Sequence, residues 1–279
     1  MGYIDLHVHS NASDGTLSPT EVVDLAARQR LDAIALTDHD TAAGITEARQ
    51  AALHTGVELV PGIEFSCTYR EKEIHILGLF IHEEDPAFDA AVQNLFSVRT
   101  RRNEEMLRRF QAAGFAITEE DLREGNPDTV ITRAHFARVL TAKGYAASTD
   151  QAFKRYLTYG GPYCVPKEMV TPEQIIGILK KNGAFISLAH VMQYNFGWAD
   201  TEELIRHLTQ LGLSGLEVYH PSHHKGQCQK LLELTKKYGL LPTGGSDFHG
   251  ANKPDIQMGW GRGGLRVPRC LLDDVKQKL

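Results

Sequence analysis

Asp5-Leu6-His7-Val8-His9-Ser10-Asn11-Ala12-Ser13-Asp14 is the stretch on which the reading of the whole chain turns. It opens as the first apolar run of the sequence. Residues two apart on an extended strand share a face, so His7 and His9 point the same way. Asp14 follows after a short polar turn. Two imidazoles at a strand end with a carboxylate close behind are the beginning of a metal site. The plainer reading, one core histidine and one surface histidine, suits a lone His better than it suits Asp-x-His-x-His.

The chain on the C-terminal side continues in a β-α rhythm. Ser18-Pro19-Thr20-Glu21 carries an N-cap, a proline at the first helical position and a capping-box glutamate, so a helix starts there. Ala33-Ile34-Ala35-Leu36 is wholly apolar, as in a strand buried on both faces, and runs into Thr37-Asp38-His39-Asp40. A helix over 44–54 ends at Gly56. A strand follows at 57–60; after Pro61-Gly62 come Ile63-Glu64-Phe65-Ser66, and a further strand is expected at 74–80. The expected class is α/β, a mostly parallel sheet with helices outside.

From about 85 to 182 no run of strands is convincing. Helices are expected at 89–113, 118–123, 132–142 and 149–156, then a turn at Tyr159-Gly160-Gly161-Pro162 and a helix from Thr171 to about Lys181. Residues 97–165 read as a helical insertion above the sheet, with 1–96 and 166–279 forming the main body. The rhythm resumes with an apolar run at 184–190, a strand at 215–219, a last strand and its loop over 240–250, and helices at 201–211 and 225–238.

Composition narrows the function classes. The 279 residues are 42% hydrophobic and 23% charged, ordinary for a globular chain. No apolar run reaches the roughly 20 residues of a membrane span, and with a strand beginning almost at once no secretory leader is expected. Cys67, Cys164, Cys228 and Cys270 are scattered without a C-x-x-C pair, which suits a reducing cytoplasm rather than a disulfide scaffold. A net charge of -5 argues against general duplex binding. The unusual count is 13 histidines.

Their placement is what matters. His7, His9, Asp14, His39, Glu64, His75, His190, Asp247 and His249 each fall at or just after an expected strand, where α/β sheets and barrels place their sites. So many imidazoles and carboxylates on one face need cations between them. A donor set without thiolate suits zinc, manganese or iron, and this number of ligands suits two or three ions. Glu64 is the candidate bridge. Asp5, Asp38 and Asp40 are candidates for orienting the ring nitrogens.

Asp5-x-His7-x-His9, Thr37-Asp38-His39-Asp40, Gly62-x-Glu64, Ala189-His190 and Gly245-Ser246-Asp247-Phe248-His249 together resemble the motifs of the PHP (polymerase and histidinol phosphatase) family. Ser13-Asp14-Gly15-Thr16-Leu17-Ser18-Pro19 and Glu217-Val218-Tyr219-His220-Pro221 resemble its bacterial TrpH/YciV-like group. One departure is Ala189-His190-Val191, where the family usually has Ala-His-Pro. The resemblance implies a distorted (β/α)7 barrel and a trinuclear centre hydrolysing phosphoesters with a metal-activated water, most simply with Mn2+ (alternatives Zn2+, Fe2+ and Mg2+). By resemblance, His7, His9 and Asp247 hold one ion, Asp14, His39 and His249 a second, His75 and His190 a third, and Glu64 bridges. The implied substrates are nucleoside 3′,5′-bisphosphates and short RNA attacked from the 5′ end. Rival readings are histidinol-phosphate hydrolysis, a non-catalytic PHP module, and a metal amidohydrolase on a related barrel.

For the substrate, Arg99, Arg101 and Arg102 share one helix. They are either a solvated basic face or a phosphate clamp, since paired guanidiniums bind phosphate bidentately. Arg133 and His135 open another helix, a position that favours anions. The resemblance also places phosphate contacts in both segments, and all five residues are taken as substrate candidates. His54, His82 and His207 read as surface residues. One of His220, His223 and His224 is a possible approach to substrate. Tyr194, Phe196 and Trp198 either stack on a base or pack their loop. No membrane and no protein partner is implied.

Overall fold

The computed structural model describes residues 2–123, 125–158, 160–165 and 170–279. Seven strands follow one another around a barrel: β1 (Tyr3–Val8), β2 (Ala33–Leu36), β3 (Glu58–Tyr69), β4 (Lys72–Leu79), β5 (Phe185–Leu188), β6 (Gly215–Tyr219) and β7 (Leu241–Gly244). Sequence neighbours are sheet neighbours throughout. A two-residue strand, β8 (Val267–Pro268), adds antiparallel to β1. The expected distorted (β/α)7 barrel is the fold found. Its distortion is β4, which runs antiparallel to both β3 and β5, while the other pairs among β1 to β7 are parallel.

The helices outside it are built as their sequences dictate. α1 (Pro19–Arg28) starts with the expected capping box: Glu21 N–H donates to Ser18 Oγ, and Ser18 N–H donates to the Glu21 carboxylate. It buries Val22, Val23 and Ala26. α2 (Ile45–Thr55) stops at Gly56, whose φ of 75° is the left-handed cap that glycine adopts without strain.

The expected break at Pro61-Gly62 is not a break. β3 is one strand of 12 residues. Residues 58–61 pair with β2 and residues 62–69 pair with β4, so the strand changes neighbours at that dipeptide. Proline lacks the N–H for a continuous ladder. At Gly62 a Cβ would lie 2.7 Å from Thr37 Cγ2, so the close crossing needs glycine. The punctuation signalled a handover between strands rather than a turn.

α3 (Pro86–Ala112) leaves the barrel and enters the insertion. Phe88, Val92 and Leu95 pack in the barrel core, whereas Met106 and Phe110 pack in a separate core with Phe136, Leu140 and Tyr156. That second core is shared with α4 (Glu119–Arg123), α5 (Arg133–Ala142) and α6 (Thr149–Tyr156). The expected boundary at 96/97 thus falls within a continuous helix. The expected return at 166 and the first residue of the turn at Tyr159 lie outside the described residues. α7 (Pro172–Asn182), α8 (Trp198–Leu211) and α9 (Lys225–Tyr238) then cover the barrel through Ile175, Leu179, Leu204, Leu208 and Leu231. α10 (Cys270–Lys278), for which the sequence had prompted no expectation, buries Leu271, Leu272 and Val275.

The seam between β7 and β1 is closed by the loop after β7. Asp247 N–H donates to His7 O at 2.9 Å, and His9 N–H donates to Phe248 O at 3.0 Å. Gly245 permits this approach, because a Cβ there would lie 2.3 Å from His7 Cβ. Gly245→Ala should therefore lower stability by about 1–3 kcal/mol through overpacking at the seam, seen as a lower urea midpoint. An unchanged midpoint would show that the seam is not tight.

Candidate metal centre

Six of the seven barrel strands deliver side chains to one end of the barrel. His7 lies on β1, Glu64 on β3 and His75 on β4; His9, His39, His190, Asp247 and His249 follow the ends of β1, β2, β5 and β7. Asp14 comes from the turn beyond β1. All nine residues singled out from the sequence meet around Glu64, directly or through one another. Glu64 Oε1 lies 2.9 Å from His75 Nδ1 and 2.9 Å from His190 Nε2. Its Oε2 lies 3.0 Å from His39 Nδ1, 3.2 Å from His9 Nε2 and 3.3 Å from His7 Nε2. Asp247 Oδ1 stands 3.5 Å from both His9 Nε2 and His249 Nδ1. Asp14 Oδ1 is 3.2 Å from His249 Nε2.

Among the described residues, four groups bring donor atoms close enough to hold a metal ion: His9, Asp14, His39 and His249; His7, Glu64 and His190; His7, His9 and Asp247; and His39, Glu64 and His75. The first and third contain two of the ligand sets expected from the sequence. The third expected pair, His75 and His190, is joined through Glu64 rather than forming a group by itself.

The centre fits a cation on its own chemistry. His7 Nε2, both nitrogens of His9, Asp14 Oδ1, His39 Nδ1 and Glu64 Oε2 are buried without a hydrogen-bond partner. Buried polar atoms are normally paired, and several orphans aimed at one another are the pattern of ligands. Burial pushes the Glu64 carboxyl up, but His39, His7 and His75 outweigh it and hold it well below its ordinary value. Asp14 behaves likewise beside His39 and His249. Burial, with His249 alongside, holds His9 well below its usual value and so neutral, with a lone pair to offer.

A tenth residue, an acid, supports the ring nitrogens. Glu217, fully buried on β6, places Oε1 3.0 Å from His7 Nδ1 and accepts the His190 backbone N–H on Oε2 at 2.6 Å. It is the orienting carboxylate, a role expected of Asp5, Asp38 and Asp40. Those three hold neighbouring loops and side chains instead. Asp5 accepts from Ser246 N–H, Ser246 Oγ and Gly259 N–H. Asp38 accepts from Ser10 N–H and Oγ and from Ser13 Oγ, holding the turn before Asp14. Asp40 takes Ser66 N–H and the Arg99 guanidinium. The alternating glutamate of Glu217-x-Tyr219 was visible in the sequence, but its inward aim was not.

A cavity of about 300 Å³ stands on this centre. Asp14, His39, His75 and His249 line one part of it, and Arg99, Arg102, Arg133, Arg138 and Lys253 line the rest together with α5 and α6. Arg99 is anchored to Asp40 and Ser66, and Arg133 to Glu73, which also meets His75 Nε2 at 3.2 Å. Lys253 Nζ lies 2.6 Å from Asp247. Two expected contacts lie elsewhere. Arg101 is on the exposed side of α3, with Nη1 3.4 Å from Ser97 Oγ. His135 is buried, accepts Thr132 N–H on Nδ1, and is pushed down to about 4 by burial, so it is a neutral helix cap. Both errors have one cause, because sequence spacing cannot say which face of a helix looks at the cavity.

The other histidines and rings also sort out. His220 Nε2 comes to 3.5 Å from Asp247 Oδ2, while His223 faces Val218 O and His224 caps α9. Tyr194 is buried with its hydroxyl donating to Ala189 O. Phe196 lies under Lys72 and Trp198 under Lys230. None of these three rings lines the cavity.

The family profile described as PHP domain matches residues 5–240. The chain belongs to the PHP family. It is 34% identical over 260 residues to a 3′,5′-nucleoside bisphosphate phosphatase of Chromobacterium violaceum, covering 93% of this chain and 91% of that protein. It is 37% identical to a 5′-3′ exoribonuclease of Haemophilus influenzae, covering 88% and 89%. The structure of a protein from Bifidobacterium adolescentis proposed to be a metal-dependent phosphoesterase superposes with a TM-score of 0.88 at 28% identity, covering 99% and 96%. This PHP chain therefore carries, at the family's barrel, several histidine-carboxylate clusters able to bind metal.

Glu217→Gln should weaken metal binding about 10- to 100-fold while the fold persists. Metal titration of the chelator-treated protein, with circular dichroism as the control for folding, reads this directly. Unchanged affinity would remove Glu217 from the centre.

Proposed function

We propose that this PHP-family phosphoesterase removes the 3′-phosphate of nucleoside 3′,5′-bisphosphates and degrades short RNA from its 5′ end, using two or three divalent ions, most simply Mn2+. The observation that carries the reading is that one cavity holds both four of the candidate ligands and a belt of five cationic side chains. A substrate with a single phosphate has no use for that second anion site. The names of the two relatives, a bisphosphate phosphatase and an exoribonuclease, describe substrates with two phosphates in reach of each other. The same belt disfavours a histidinol-phosphate phosphatase, whose substrate carries a cationic amine.

His7, His9 and Asp247 would hold one ion, Asp14, His39 and His249 a second, and His75 and His190 a third, with Glu64 between them. Ions so held supply a water of lowered pKa and neutralise charge at the phosphoryl oxygens. The chain's own residues do the positioning. Arg102 and Arg133 grip the second phosphate and fix the distance from it to the scissile one. Thr132 and Arg133 open α5, so the helix dipole adds to the grip. Thr132 Oγ1 also donates to Asp14 Oδ2 at 2.8 Å, tying the anion site to the centre. Lys253 and His220 flank Asp247 and limit its negative charge towards an incoming phosphate.

No described helix is long and apolar enough to cross a membrane. All four cysteines are free thiols, which supports placing the protein in a reducing cytoplasm.

Protein reconstituted with Mn2+ should release phosphate from adenosine 3′,5′-bisphosphate at least about 100-fold faster than from AMP. Equal rates, or activity that survives a chelator, would sink the reading. Arg102→Ala should raise KM for the bisphosphate roughly 10- to 100-fold with bound metal unchanged. Loss of metal in that variant would place Arg102 in the centre rather than on the substrate.

A further inference from the structure

The cavity wall contributed by the insertion contains something the phosphate chemistry does not use. α6 presents Thr149, Asp150 and Phe153 to the cavity, and the facing stretch of α5 presents Ala134 and Ala137. Phe153 is the one Phe, Tyr or Trp side chain among the described residues lining it. The other rings of the insertion are gathered with each other. Phe110 stacks on Tyr163 at 4.5 Å, and Phe115 meets Tyr145 at 4.7 Å and Tyr156 at 5.3 Å. Phe153 stands outside that group among the described residues, half-buried against the insertion core with part of its surface in the cavity.

Three features of this wall agree. An aromatic face is a platform on which any nucleobase stacks. Ala134 and Ala137 are three apart on one helix face, and their methyl groups leave the space beside the ring open. Asp150 offers a carboxylate, an acceptor without a donor, where a phosphate would be repelled. The barrel side of the cavity is therefore suited to phosphates, and the α6 side to a flat group with an exocyclic amine.

We infer that Phe153 forms the stacking platform of a nucleobase subsite, and that Asp150 selects bases carrying an exocyclic amino group, such as adenine and cytosine, over uracil. The inference deepens the proposed phosphatase reading and rests on it for the orientation of the nucleotide, with phosphates at the arginines and metals and the base against α6. It also assigns the specificity to the insertion, while the barrel does the chemistry.

The test uses equilibrium binding, so it does not depend on turnover. Calorimetric titration of the metal-loaded protein compares AMP, UMP and the base-free ribose 5-phosphate. AMP should bind roughly 10-fold or more tightly than ribose 5-phosphate. Phe153→Ala should erase that difference while leaving ribose 5-phosphate binding unchanged, and Phe153→Tyr should restore it. Asp150→Ala should abolish the preference for AMP over UMP. Equal affinity of the wild-type protein for AMP and ribose 5-phosphate overturns the subsite. So does a Phe153→Ala variant that weakens both ligands alike, because that is the mark of a merely structural ring. If base discrimination holds but adenosine 3′,5′-bisphosphate is not hydrolysed, the subsite stands and the phosphatase reading falls.

Discussion

A carboxylate buried among imidazoles is the constraint on which the rest of the structure depends. Glu64 is fully enclosed, and five histidines from four different strand ends or strands converge on its two oxygens. An ionised carboxylate in an apolar interior is costly unless partners surround it. The partners can reach it only if β1, β2, β4 and β5 are wound around β3 within a few ångströms. The barrel is the scaffold that meets this condition, and the antiparallel β4 brings His75 onto the face of Glu64.

Most buried acids outside the centre serve that geometry at one remove. Asp5 ties the loop of Ser246 and Gly259 to β1, Asp38 ties the Ser10–Ser13 turn, and Asp40 ties β3 to Arg99 of the insertion. Glu217 on His7 and the half-buried Glu73 on His75 touch ligand rings directly. The insertion is thus bound to the centre through polar links, among them Arg99 with Asp40, Thr132 with Asp14 and Arg133 with Glu73, while its apolar core remains its own. An insertion that carries its own core can change its cavity-facing side chains without disturbing the barrel. On the proposed reading, that separation would let substrate selection and bond cleavage reside in different parts of one chain.

The nine candidate ligands were legible because each sits where a short apolar run stops, and a strand end is a position the sequence marks clearly. The first helix was legible from its cap at Ser18. Less was legible in the cavity. Arg99, Arg102 and Arg133, singled out from charge and position, line it, but Arg101 and His135 share those properties and face elsewhere. Phe153, Arg138 and Lys253 had no local signal at all.

Sequence alone therefore determined most of the strand-helix order and which imidazoles and carboxylates stand at strand ends, because these follow from local periodicity and residue type. Tertiary structure alone decided that Pro61-Gly62 is a handover within one strand, that Glu217 rather than Asp5 orients a ligand ring, and which side of α3, α5 and α6 lines the cavity. Those outcomes depend on contacts between residues far apart in the chain, and on helix rotations set by packing against a core. A local pattern holds no record of either.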